Sequence, residues 1–286
     1  MNDMKILVTN DDGIYSKGLW AIAKAMSRLG QVTVIAPDRE QSGVGTGVTL
    51  FRPLRLNQVV SLVPGVEAYA VEGTPADCVI LGLGTVSGDD TSLVVSGINV
   101  GANLGNDVLI SGTVGAAFQG FCRGIPSLAV SVTSLQASDF DSACTVATFL
   151  GKKLTEERLP HDILLNINLP SLPLNEIGGV EVTHLGRRVY GDIVEEREDS
   201  RGHKYHWIVR GKPEWELEEG TDIWAIRNHR ISITPLHTDL TSRGGLALVQ
   251  GLAEAFSQDM SLNGHKPARR RRLATSAVGK SSRSRS

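Results

Sequence analysis

No stretch of this 286-residue chain approaches about 18 apolar residues, so no transmembrane helix is expected. The opening residues, MNDMKILVTNDDG, hold no basic stretch leading into a long apolar region, so no secretory signal is read there. Cysteine is scarce. Cys78, Cys122 and Cys144 are odd in number, widely spaced and form no C-x-x-C. That argues against a disulfide framework or a zinc site, and makes a reducing cytoplasm the natural setting. No internal repeat is visible, which sets aside solenoids and propellers.

What is present is an ordinary globular composition. Apolar residues make up 41% and charged residues 21%, enough to bury a core and too apolar for disorder. The length fits one large domain or two small ones. The formal net charge of −2 hides an asymmetry. Residues 262–286 carry eight Lys/Arg and no Asp/Glu; the 29 basic residues less these eight leave 21 against 31 acidic ones, a net of −10 for the rest. An acidic body with a basic tail is expected, divided into a domain over 1–261 and a disordered basic tail over 262–286.

Along the body, β-like and helical patterns alternate. Lys5–Thr9 reads as a buried strand. Lys17–Leu29 reads as a helix with Leu19, Ile22, Ala23, Met26 and Leu29 on one stripe and Gly30 as its C-cap, and Val32–Ala36 as the next strand. This β-α-β unit implies parallel strands and a right-handed crossover. Two β-like stretches flank a turn at Pro64-Gly65. Thr74-Pro75-Ala76-Asp77 opens a helix, with Thr as N-cap and Pro at the first helical position. Strands follow at Leu93–Val95, Leu128–Val132 and Ile163–Asn168, with helices at Thr113–Arg123 and Asp139–Lys153. The segment 171–241 is β-rich, with strands at Val180–Tyr190, Lys204–Arg210 and Ile231–Thr234, and 243–258 suits a last helix. The fold class is therefore α/β: a Rossmann-like, mostly parallel sheet flanked by helices, with a β-rich hairpin extension.

In such a sheet, ligands bind beyond the carboxyl ends of the strands. Three polar clusters stand there. Asn10-Asp11-Asp12-Gly13 follows the first strand. Its adjacent carboxylates repel each other, and oxygen ligands favour Mg²⁺, Mn²⁺ or Ca²⁺ over zinc; taken alone, it equally fits a polar loop whose Asp caps a helix. Asp38-Arg39-Glu40-Gln41-Ser42-Gly43 follows the second strand, with further oxygens and an arginine for an anion; taken alone, a solvated charged loop is the plainer account. The third runs from Ser96-Gly97-Ile98-Asn99 through Gly101, Asn103 and Gly105 to Ser111-Gly112-Thr113. There a Gly/Asn-rich loop enters a helix whose free N–H groups and dipole suit a phosphate. Together the three are equipment for a metal-bound phosphate ester.

These residues, with Gly73-Thr74-Pro75-Ala76-Asp77-Cys78 and with Thr234-Pro235-Leu236 before Asp239-Leu240-Thr241, occur in an order that closely resembles the stationary-phase survival protein SurE family, which are 5′-nucleotidases. The resemblance runs from about Lys5 to Phe256 and leaves the basic tail outside. It implies hydrolysis of nucleoside 5′-monophosphates with Mg²⁺ or Mn²⁺, and in some members of 3′-nucleotides and short polyphosphate. It implies Asp11, Asp12, Ser42 and Asn99 as metal ligands, with Asp11 and Asp12 catalytic. Phosphate contacts fall to Asn103 and the Ser111-Gly112-Thr113 helix start. Apart from the resemblance, Asn10 and Arg39 are further candidate substrate contacts, with a structural ion pair as the other reading of Arg39. A metal-activated water is favoured over an aspartyl-phosphate, because the D-x-D signature of haloacid-dehalogenase-like phosphatases is absent; whether Asp11 is ligand, base or both stays open.

The resemblance also implies a homodimer or homotetramer, with a protruding hairpin carrying His203 and His206 at a subunit contact. As a metal pair these histidines would fail, since i and i+3 in a strand face opposite sides. His237 is a candidate for the cleft or for a surface loop. Trp207, Trp215 and Trp224 read as core or interface, and Cys78 and Cys144 as packing residues. Competing readings are a non-catalytic nucleotide sensor, which has no need of paired carboxylates, and nucleic-acid binding by Arg269 to Arg272, for which a solubilising tail is the plainer account.

Overall fold

The computed structural model describes residues 4–88, 90–134, 139–156 and 163–262, with side chains except at 188–193, 210–215 and 261–262. The expected basic tail lies outside the described residues apart from Leu262. The short apolar runs are strands: β1 Lys5–Thr9, β2 Gln31–Pro37, β3 Leu56–Gln58, β4 Glu67–Val71, β5 Thr91–Val100, β6 Ser127–Val132, β7 Leu164–Leu169, β8 Val180–Val182, β9 Arg188–Glu198, β10 Lys204–Trp215 and β11 Ile231–Leu236. Nine of them form one sheet in the order β3-β4-β2-β1-β5-β6-β7-β11-β8, and β9 pairs with β10 alone. β4, β2, β1, β5, β6 and β7 run parallel; β3 and β11 are antiparallel to their neighbours β4 and β7. Strand order runs outward in both directions from β1 and β5, so their carboxyl ends form the switch-point crevice of an open α/β sheet. The expected fold class holds.

Helices cover both faces: α1 Lys17–Met26, α2 Pro75–Leu81, α3 Gly112–Phe121, α4 Asp141–Glu156 and α5 Asp222–Arg227. Alternation along β1 sorts its side chains between the two layers. Ile6 and Val8 pack with Leu19, Ile22 and Met26 of α1 and Ala143 and Ala147 of α4. Leu7 packs on the other face with Cys78 and Val79 of α2 and Ala116 of α3. Each fully buried leucine or isoleucine in these layers contributes about 1.5–3 kcal/mol, which fixes the strand register on which the site depends.

Several boundaries differ from the sequence expectation. α1 ends at Met26, where the Ser27 N–H returns to Ala23 O, not at Leu29 with a Gly30 cap. Gly30 is needed for close approach instead: a Cβ there would stand 2.1 Å from Met4 O. β5 continues through Ser96-Gly97-Ile98-Asn99, expected as loop, because Asn99 and Val100 pair with Ser131 and Val132 of β6 after a register shift. The Gly-rich loop therefore begins at Gly101. The stretch Val180–Tyr190 is broken between β8 and β9, where His184 bridges to Thr221. Pro235 lies inside β11, at a level where β8, ending at Val182 opposite Ile233, no longer runs beside it. Helix α5, capped by Thr221, is an element the periodicity did not predict.

The β9–β10 hairpin turns at Gly202, φ +80°, where Asp199 Oδ1 accepts from the N–H groups of Arg201 and His203. The chain divides into two compact units, Met1–Thr238 and Asp239–Ser286. In the second, a 3₁₀ turn at Arg243–Gly245 leads into α6, Leu246–Leu262, somewhat longer than the helix expected over 243–258. Among the described residues, no helix is long and apolar enough to cross a membrane.

Candidate active site

β1 delivers Asn10 and Asp11 into the crevice, both buried. Asn10 closes the turn itself: its Oδ1 accepts from Gly13 N at 3.2 Å and its Nδ2 donates to Gly13 O at 3.2 Å. It is wholly buried and shapes the loop. Gly13, φ +94°, lets the turn press against Arg39, whose carbonyl carbon a Cβ would meet at 3.0 Å. The loop after β2 is tied to the same place, because Gln41 N donates to Asp11 O at 2.8 Å.

Asp11 faces the first turn of α3. Thr113 Oγ1 donates to Asp11 Oδ1 at 2.5 Å, and a Cβ on Gly112 would stand 2.7 Å from Asp11 Cβ. Only glycine lets the helix start approach this closely. Burial pushes the Asp11 carboxyl above its usual range, against the opposing pull of Thr113. Asp12 is raised to about 7, first by burial, then by the charges of Asp11 and Glu40; the Val100 backbone amide favours its charged form. Asp12 Oδ2 is buried and has no hydrogen-bond partner. Two close carboxylates, one with an orphaned oxygen, make a poor resting arrangement without a counter-charge.

Asn99 stands near the end of β5, one residue before Val100, whose backbone amide reaches Asp12. Its Nδ2 donates to Gly101 O at 2.6 Å, which orients the amide and leaves Oδ1 as the acceptor end. Ser42 is exposed, and its hydroxyl donates to Glu40 Oε1 at 2.8 Å. Its lone pairs remain for a cation. By donor type, two carboxylates, an amide oxygen and a hydroxyl are the all-oxygen ligands that suit a hard divalent ion. No group of three or more His, Cys, Asp or Glu side chains among the described residues is placed to hold a metal, so a softer-metal site is not offered elsewhere.

The phosphate side is built by α3. Ser111 caps the helix, its Oγ accepting from Val114 N at 3.1 Å, which leaves the hydroxyl proton and the first-turn amide of Gly112, the Thr113 amide being directed at Asp11. Thr113 gives both its hydroxyl and its backbone amide to the Asp11 carboxylate, and its side chain is buried there. Asn103 is nearly buried, and one proton of its Nδ2 goes to Ser131 Oγ at 2.9 Å. Arg39 is the opposite case: two-thirds exposed and only 3.8 Å from Asp38, it is free to swing toward an anion. The loop from Ser42 onward is held against α3 by Gly45, whose N–H donates to Ile110 O at 2.9 Å. Asp77 anchors its far end, accepting from Thr49 N at 2.8 Å while completing the capping box of α2.

Other candidates fall outside the crevice. His203 pairs with Asp199 at 3.2 Å and His206 with Glu196 at 3.3 Å, both on the exposed hairpin. His237 stacks edge-on against Phe121, ring centroids 5.8 Å apart. Trp207 is 55% exposed, not core; Trp224 is half-buried; the Trp215 side chain lies outside the described set. Burial pushes the Cys78 thiol well above its ordinary value and Cys144 to about 11, so neither is a nucleophile near neutral pH. Sequence reasoning missed Asn166, Asn168 and Asp222, three buried polar residues that hold the Gly-rich loop. The signal was the pair of asparagines at alternate positions on one face of the apolar strand ILLNIN.

A family model described as Survival protein SurE matches residues 6–192. A protein named 5′-nucleotidase SurE from Dehalococcoides mccartyi is 50% identical over 239 residues, covering 83% of this chain and 90% of that one. One named 5′-nucleotidase SurE 1, from Thermus thermophilus, is 48% identical over 256 residues, covering 89% and 100% respectively. The crystal structure of the SurE protein from Aquifex aeolicus superposes with a TM-score of 0.74 at 40% identity, covering 87% of this chain and 99% of that one.

Proposed function

The chain belongs to the SurE family, and on that premise we propose that it is a 5′-nucleotidase, a phosphoric monoester hydrolase that converts nucleoside 5′-monophosphates to nucleoside and phosphate. The observation that carries this reading is the meeting of Asp11 with the first turn of α3, through Thr113 and Gly112. An acid pair suited to a cation and a helix N-terminus suited to an anion share one wall of the crevice.

The divalent cation, Mg²⁺ or Mn²⁺, would be held by Asp11, Asp12, Ser42 and Asn99. When bound it supplies positive charge for the phosphoryl oxygens and acidifies water. The chain's own residues do the rest. The amide of Gly112, the Ser111 hydroxyl and Asn103 orient the phosphate and offset charge on its equatorial oxygens, with Thr113 behind them holding Asp11. Arg39 meets the substrate from the exposed side. Asp11, fixed by Thr113, presents its second oxygen toward the reacting centre and is placed to take a proton from water. Asn10 keeps the acid turn closed. Activity toward 3′-nucleotides and short polyphosphate belongs to the same proposal.

We place the catalytic domain over 1–261 and the protein in the cytoplasm. The chain works as a homodimer or homotetramer in this reading. Val194, Trp207 and Ile208 on the hairpin are 64%, 55% and 76% exposed, more apolar surface than a lone arm would leave to water. Light scattering at micromolar concentration returning a monomer mass would remove that part. The enzymatic claim is tested by phosphate release from AMP and GMP with Mn²⁺ or Mg²⁺ added. The reading requires turnover that EDTA abolishes and added metal restores; a purified, folded protein that binds nucleotide without releasing phosphate is a sensor instead.

A further inference from the structure

The loop from Gly101 to Ile110 has the composition of a flexible segment, yet its backbone is gripped from behind at closely spaced points. Asn168 of β7 acts as a piece of artificial strand. Its Oδ1 accepts from Asn103 N at 2.8 Å and its Nδ2 donates to Asn103 O at 3.1 Å. Asn166, two residues earlier on the same face, donates a second bond to Asn103 O at 2.9 Å. Asp222, at the start of α5, takes Gly105 N on Oδ2 at 2.7 Å, while its Oδ1 accepts from Gly186 N and Ile223 N, each at 2.8 Å. All three side chains are fully buried.

Burying these groups is costly. An apolar residue of similar volume would suit a central strand better, and Asn166 Oδ1 is left without a partner. The bonds reach across 63, 65 and 117 positions of sequence to a loop whose apolar anchors are Leu104 and Val108. Beyond the grip, the loop passes through a 3₁₀ turn at Gly105–Leu109 and enters the Ser111 cap of α3. Whatever sets Asn103 and Gly105 therefore sets where the anion-binding helix start lies relative to Asp11.

We propose that Asn166, Asn168 and Asp222 are positioning residues that preorganise the Gly-rich loop and the α3 N-terminus for catalysis. The inference rests on the nucleotidase reading for its kinetic consequence, though the grip itself does not. Asp222→Asn is the sharpest probe. Its single remaining oxygen can serve the Gly186 and Ile223 amides, which sets an NH₂ against the Gly105 N–H and breaks only that tie. Asn168→Leu removes both bonds to Asn103 at similar volume.

With folding verified by circular dichroism, kcat for AMP at saturating metal should fall about 10–100-fold, and by more than KM rises, as expected when reacting groups are misplaced by a fraction of an ångström to an ångström. Amide hydrogen exchange at Asn103 and Gly105 should accelerate while that of β1 and β5 does not. A folded Asp222→Asn enzyme with unchanged kcat overturns the proposal, whatever Asn168→Leu does. If the wild-type protein turns over no phosphate ester, the nucleotidase reading fails by itself. Exchange then decides the grip: unchanged loop exchange in Asp222→Asn overturns it, and selective acceleration supports it.

Discussion

The hydroxyl of Thr113 and the carboxylate of Asp11 meet at 2.5 Å, although 102 positions separate them in the chain. The bond joins the end of the first strand to the first turn of α3, and it uses the one side-chain donor that α3 could otherwise have lent a phosphate. Thr113 therefore serves the acid with its hydroxyl and its amide, and the Gly112 amide and Ser111 hydroxyl are left for the anion. Thr113→Val, which keeps the shape and removes the donor, should lower kcat/KM about 10–100-fold, the range for losing the partner that orients a reacting group. Thr113→Ser should restore most of it. Equal kinetics for the valine and serine variants would show that the bond is idle.

Asp11→Asn should abolish turnover, on the order of 10⁴-fold, with the fold intact. The amide keeps the volume, and its oxygen can still accept from Thr113, so thermal unfolding should shift little. Near-normal turnover would remove Asp11 from the chemistry.

Gly112→Ala tests the closeness of the helix start. The added methyl carbon would lie 2.7 Å from Asp11 Cβ, an atom near the backbone that cannot swing away. A displacement of roughly 1 Å should cost about 100-fold in kcat. Gly84→Ala, with open space around it, is the control that should change nothing in catalysis.

Asp222 makes stability depend on pH. Burial raises its carboxyl above the ordinary 3.8, and the amides of Gly105, Gly186 and Ile223 offset this only in part. A raised folded-state value means that the native state binds the proton more tightly than the unfolded chain. Its contribution is therefore full below the unfolded value and is lost as pH rises through the folded one. The stability of wild type minus that of Asp222→Asn should decline as pH climbs from about 3.8 and then level off. Denaturant midpoints across that range check it; a difference that is flat or rises with pH contradicts the assignment.

Removing the segment after Met260 should leave phosphate release unchanged, because its eight basic residues lie beyond the motifs that carry the family resemblance. A sharp fall in nucleotide turnover would make the tail part of the enzyme.

The parallel sheet and its acid turn were legible because buried strands and polar strand ends write strong local patterns, as KILVT before NDDG does. Less was legible where tertiary pairing decided. Ser96 to Asn99 looks like loop in composition, and β6 makes it strand by supplying partners. Gly30 looks like a helix cap, while its reason is the Met4 carbonyl next to it. Asp222 opens a six-residue helix too short to show a period, and its amide partners Gly105 and Gly186 are invisible in its neighbours. The acid pair and the helix start could be found by type and position; the residues that hold them could not, because their meaning lies in partners 63 or more positions away.

The distribution of those partners along the chain has a consequence for synthesis. Every proposed ligand and phosphate contact has left the ribosome by Thr113, while the clamps on the loop arrive at Asn166, Asn168 and Asp222. β11, which lies between β7 and β8 in the sheet, arrives later still. A nascent chain thus carries its full chemical complement long before it can hold that complement in shape. Competence should switch on late in translation, when the last strand slots between two earlier ones, and not accumulate with length.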